Sequence, residues 1–168
     1  MPEPVKPRLI IGIGNPSRGD DALGALCIEQ LQLLDLPDTD LLTDFQLQIE
    51  YVLDLQGRRE VIFVDATVSG EEAFSYIPVA PAEDNSTTSH ALSPSALLHA
   101  YGKFGAAPLP DTHILAIRGY SFELGHALSP QAAGNLQQAL QFIQRYIGSP
   151  LRNRSMPRWL AVGTADAD

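Results

Sequence analysis

The chain has 168 residues, 45% of them hydrophobic, enough for one compact domain with a full core. Its 20 Asp and Glu against 11 Lys and Arg give a formal net charge of -9, which disfavours nucleic acid and anionic membrane surfaces as partners. A single cysteine excludes an internal disulfide framework and fits a reducing compartment, and no apolar run approaches the ~18 residues of a membrane helix. The start, MPEPVKPRLI, has no apolar signal segment beyond its first strand, so a cytoplasmic protein is expected.

Arg8 to Gly24, RLIIGIGNPSRGDDALG, organises the rest. Leu9, Ile10, Ile11 and Ile13 form the continuous apolar run of a strand covered on both faces. Gly12 and Gly14 permit a sharp turn or a close approach, and Asn15, Pro16, Ser17 and Gly19 are turn formers. Asp20 or Asp21 then caps a helix to about Leu34, with Leu23, Cys27, Leu31 and Leu34 as its apolar stripe. Cys27 inside that stripe reads as a core residue, not a nucleophile.

A second strand is expected over Asp40–Phe45 and a helix over Gln46–Gln56. Val61 to Val64 make the next strand, and Asp65 follows it directly. A carboxylate there would be expensive in the core, which places it at the carboxyl edge of the sheet, beside Asp21, as a site residue or as a loop brace. Ala73–Ala80 with Pro78 reads as an edge strand, and a polar loop from Pro81 ends on His90. Ser93-Pro94 and Ser129-Pro130 both carry the chemistry of a helix start. The first opens a helix to Tyr101 or Phe104, the second a long one to Ile147, and Thr112–Ile117 is the strand between them.

Strands alternating with helices predict an α/β, three-layer sandwich: a mainly parallel, twisted sheet of about five strands with helices on both faces. Residues 1–150 form a single domain, and 151–168 a tail that Trp159 and Leu160 could dock.

A strand-to-helix turn at the carboxyl end of a parallel sheet is a ligand position. Gly12-x-Gly14 begins a dinucleotide fingerprint, but Ser17 stands where the third glycine belongs, and two carboxylates occupy the place of a pyrophosphate. Gly12 to Pro16 is also similar to the start of bacterial peptidyl-tRNA hydrolases, a likeness that stops after five residues on a chain too acidic for tRNA. Asp21, Asp65 and His90 are a sound donor set for a borderline divalent ion such as zinc or nickel, with a position left open for substrate.

Four segments in order resemble the hydrogenase maturation endopeptidases, over residues 8–147. They are GxGNxxxxDD from Gly12 to Asp21, VIFVDA from Val61 to Ala66, Ser89-His90 before a helix, and GYSFELGHALSP from Gly119 to Pro130. Arg8–Gly24 together with Thr43–Leu55 is most similar to members serving soluble, NAD-linked bidirectional hydrogenases. The resemblance implies an aspartyl-type endopeptidase that removes the C-terminal extension of the nickel–iron hydrogenase large-subunit precursor. It also implies that Asp21, Asp65 and His90 are both the metal-contacting and the catalytic residues. The nickel would arrive in the substrate, so no tightly held cofactor is expected, and the enzyme would be a monomer. Many members carry glutamate at the position of Asp21, so a closer approach is implied here. His99, His113 and His126 are read as outside the site. No Ser-His-Asp arrangement is evident, which favours direct attack by water. A nickel-sensing chaperone without catalysis and a small-molecule metallohydrolase on the same fold are the alternatives.

Overall fold

The computed structural model describes residues 3–83, 92–104 and 108–148. Five strands, β1 (Arg8–Ile13), β2 (Thr39–Asp44), β3 (Glu60–Thr67), β4 (Phe74–Pro78) and β5 (Asp111–Arg118), form one sheet in the order β2-β1-β3-β5-β4. All neighbours are parallel except β4, which pairs antiparallel with β5 at the edge. Pro78, which cannot donate to a ladder, closes that edge strand.

The helices are α1 (Leu23–Gln32), α2 (Val52–Leu55), α3 (Pro94–Phe104) and α4 (Pro130–Ile147). Alternate strand residues feed two cores, as the period of two demands. Ile10, Ile62 and Val64 pack with Leu23, Cys27, Leu31 and Leu140 of α1 and α4. Leu9, Ile11, Val61 and Phe63 pack with Leu55, Leu97 and Tyr101 of α2 and α3. These are the expected three layers. Both Ser-Pro starts form as expected: Ser93 Oγ accepts the Ala96 amide at 3.1 Å and Ser129 Oγ the Ala132 amide at 3.2 Å.

Two local expectations fail. Neither aspartate caps α1, whose N-cap is Ala22 and has no side-chain bond; Asp20 and Asp21 lie in a 3-10 turn, Gly19–Ala22, that precedes it. Between β2 and β3 only a 3-10 turn, Ile49–Tyr51, and the one-turn α2 form. The reason is Leu47, which is buried and makes a β-bridge to Leu92, so it cannot belong to a helix. The tail 151–168, with Trp159, lies outside the described residues.

At the amino end of the sheet, buried Arg8 donates to Glu60 at 2.8 Å and to Thr39 at 3.0 Å, and the Tyr146 hydroxyl donates to the other Glu60 oxygen at 3.2 Å. An ion pair buried there is tolerable because its polar atoms are bonded. A cavity of about 240 Å³ lined by Arg8, Leu36, Thr39 and Gln144 lies at this end, opposite the expected site.

Candidate functional site

The order β2-β1-β3 means that the chain leaves β1 toward one side of the sheet and later returns on the other. A crevice opens at such a switch point, between the carboxyl ends of β1 and β3, and open α/β sheets bind their ligands there. Asp21 follows β1 and Asp65 lies on β3, one residue beyond the Gly12–Val64 pair. The two expected carboxylates therefore meet at the crevice.

The backbone at Gly14 makes this possible. Its φ of +136° suits glycine, and a Cβ would run into the Asp21 carbonyl oxygen, so the close approach of the turn to the end of β1 requires glycine here. Asp21 Oδ2 then accepts the Asn15 amide at 2.7 Å. Asp65 is held in the same way, its Oδ1 accepting the Ala66 amide at 2.8 Å. Each carboxylate thus has one oxygen fixed by a backbone amide, and its second oxygen accepts no hydrogen bond among the described residues.

The pair is electrostatically uneasy. Burial pushes Asp65 up to about 7; the Ala66 amide pulls the other way, and the negative charge of Asp21 adds to the rise. A proton on Asp65 relieves the repulsion, and so would a cation between the carboxylates. The donor chemistry, two hard oxygens of adjacent carboxylates, suits a divalent metal that a third ligand completes. That third expected ligand, His90, lies outside the described residues, among which no cluster of three His, Cys, Asp or Glu side chains forms a metal site.

Asp20 has a different task from the cap expected of it. It is fully buried, with Oδ2 accepting the amides of Tyr120 (2.7 Å) and Ser121 (3.0 Å) and the Ser129 hydroxyl (2.7 Å), and Oδ1 accepting the Ser129 amide (2.7 Å). Burial alone would raise its pKa, but the bonds from Ser129, Tyr120 and Ser121 outweigh it and hold the carboxyl below its ordinary value. Three backbone bonds run alongside: Gly19 to His126 (3.1 Å), Asp20 to Ser121 (2.7 Å) and Gly125 to Ser17 (2.8 Å), donors first. The segment between β5 and α4 is stapled to the turn that carries Asp21. Sequence reasoning missed this staple because all its partners lie about a hundred positions downstream.

The remaining histidines stay apart from the carboxylates. His113 is buried in β5, its ring stacked on Tyr76 with centroids 4.5 Å apart, and His99 Nε2 lies 3.4 Å from Glu83. His126 Nδ1 is 3.3 Å from Ser121 Oγ and its Nε2 is 3.2 Å from Glu123, a Ser-His-Glu chain not foreseen from the sequence. It is solvent-exposed on one short segment, where water screens the charge coupling that activates a buried triad.

No family model and no curated protein sequence matches this chain. Solved structures do. The hydrogenase maturating endopeptidase HybD from E. coli superposes with a TM-score of 0.70 at 22% identity, covering 84% of this chain and 91% of its own. The fold is that of the hydrogenase maturation peptidases. The [NiFe] hydrogenase maturation protease HycI from Thermococcus kodakarensis KOD1 gives 0.63 at 24% identity, over 86% of this chain and 94% of that one. A hydrogenase 2 maturation peptidase from Thaumarchaeota archaeon SCGC_AB-539-E09 gives 0.60 at 21%, over 85% and 99%. Coverage this complete means that the shared fold accounts for most of the chain.

Proposed function

We propose that this chain is a hydrogenase maturation endopeptidase, which removes the C-terminal extension of a nickel-loaded hydrogenase large-subunit precursor. The observation that carries the reading is the meeting of Asp21 and Asp65 at the crevice of a fold shared with proteins of that name. Two carboxylates with one amide-fixed and one open oxygen each present a preorganised face to a cation. With His90 they would complete three ligands toward the substrate's own nickel, so that cleavage waits for metal insertion.

The chemistry then needs water, a base and a polarised carbonyl. Asp65, titrating near neutral pH, is matched to the work of a general base or acid. The nickel, as part of the substrate, would supply Lewis acidity toward the scissile carbonyl or the water. Cys27 is fully buried in the α1 core, and Ser121 stands in an exposed chain, so neither supports an acyl-enzyme route.

The deciding experiment is incubation of the protein with nickel-loaded and nickel-free precursor, read by mass spectrometry. Shortening of the loaded precursor alone is expected, and Asp21→Asn and His90→Ala should each abolish it. A loaded precursor bound but unchanged in length would point to the chaperone alternative. Stoichiometric zinc in the purified protein would point to the metallohydrolase.

A further inference from the structure

The carboxyl rim carries large apolar side chains that the fold leaves uncovered. Phe45, directly after β2, is 62% exposed, Val68, directly after β3, is 69% exposed, and Tyr120 and Leu124, after β5, are 47% and 70% exposed. Tyr120 is held in place, its hydroxyl accepting from Asn135 Nδ2 at 3.1 Å and its ring lying under the Arg118 guanidinium at 4.6 Å. Successive strands in the order β2-β1-β3-β5 place Phe45 on one side of Asp21 and Asp65 and Tyr120 on the other, while Val68 follows Asp65 on the line of β3, between them. Three strand spacings separate Phe45 from Tyr120, about 14 Å, which an extended chain crosses in four or five residues, and it passes Val68 on the way.

The charge of the same rim restricts what can lie on it. Among the described residues, Asp21, Asp44, Asp65, Glu71, Glu72 and Glu123 face two cations there, Arg18 and Arg118. Arg118 is committed to backbone, donating to the carbonyls of Gly70 (2.9 Å) and Gly119. A second copy of this chain, with its own net charge of -9, would be repelled, as would a nucleic acid. We propose that the rim docks an extended, net-positive peptide segment with apolar side chains about four residues apart, one set against Phe45 and the other against Tyr120, with Val68 beside the stretch between them. Resting on the peptidase reading, this assigns the substrate class of the site: the bond above Asp21 and Asp65 lies between two apolar anchors, in a stretch rich in Lys or Arg.

The test uses the full chain and two fluorescein-labelled dodecapeptides with identical apolar residues, one carrying four lysines and the other four glutamates. Binding is read by anisotropy and cleavage of loaded precursor is followed in parallel. The lysine peptide should bind, less tightly as salt rises, and the glutamate peptide should not. The double variant Phe45→Ser/Val68→Ser should weaken binding at least about tenfold, roughly the loss of one buried apolar contact. The same variant should raise KM for precursor more than it lowers kcat. Leu33→Ser, an equally exposed leucine at the far end of α1, should change neither. Equal binding of both peptides, binding of neither, or full binding by the double variant would overturn the proposal. Peptide discrimination without precursor cleavage would leave the docking surface standing and remove the peptidase reading instead.

Discussion

Asp20 and Ser129 lie 109 residues apart in the chain and are doubly bonded, Asp20 Oδ1 to the Ser129 amide and Oδ2 to its hydroxyl, both at 2.7 Å. The same hydroxyl oxygen accepts the Ala132 amide, so one serine starts α4 and fastens it to the turn before α1. Removing the carboxylate strands several buried donors at once. Asp20→Asn, which keeps one acceptor and turns an NH₂ toward the donors, should cost about 2–4 kcal/mol in urea denaturation. A loss under about 1 kcal/mol would contradict the role assigned to the carboxylate. Because its folded pKa is lowered, the contribution is complete above the unfolded value of about 3.9 and is lost as pH falls through the folded one. The gap between wild type and variant should therefore close in acid.

Asp65 has the opposite sign. Its folded pKa of about 7 lies above the unfolded value, so the folded protein holds a proton that the unfolded chain has already released. Stability from this group is present below about pH 4 and declines as pH rises toward 7. Asp65→Asn should flatten that decline and leave the protein more stable at pH 8, by about 1–3 kcal/mol, while processing activity disappears. Parallel denaturation series at pH 5 and pH 8 check it; identical slopes for variant and wild type would count against the buried, repelled carboxylate.

The rate profile of processing gives an independent reading of the same group. If deprotonated Asp65 is the working form, kcat/KM for precursor rises with pH through a limb near 7. Asp21→Glu, which keeps the neighbouring charge, should preserve that limb, and Asp21→Asn should move the Asp65 titration downward, measurable by NMR of the carboxyl carbon.

Gly14→Ala tests the backbone that seats Asp21. The new Cβ meets the Asp21 carbonyl oxygen at a φ of +136°, so the turn must lift. A cost of about 2–4 kcal/mol is expected from the strain, with processing reduced even where the variant is fully folded. Wild-type activity in a folded Gly14→Ala protein would show that the turn has room to relax.

Cys27 should be inert. Burial pushes its thiol up to about 12, so the thiolate needed for alkylation is absent at neutral pH. Iodoacetamide should label the protein in urea and not in buffer, and thiol reagents should leave processing unchanged.

Much of this was legible in the chain because it is locally written. The apolar runs of β1 and β3 and the two Ser-Pro starts are short-range signals, and the structure forms each of them. The rim position of Asp65 followed from the cost of burying a carboxylate after four apolar residues. What was not legible depends on distant partners. Leu47 would extend a helix by spacing, but Leu92 claims it for a bridge. Leu34 continues the α1 stripe in sequence, yet the helix ends at Gln32 and leaves it 41% exposed. Asp20, next to Asp21 and chemically identical, differs only in what lies a hundred residues later.

The staple between the Asp21 turn and the segment before α4 also sets an order of events. Its bonds close loops of about a hundred residues, among the slowest contacts for a chain to find. A nascent chain that has emerged through β3 already carries both carboxylates of the crevice, but the bonds that fix the turn await β5 and the start of α4. The crevice is built from the first half of the chain and becomes rigid only when the last third arrives, so premature termination would yield both aspartates without a site.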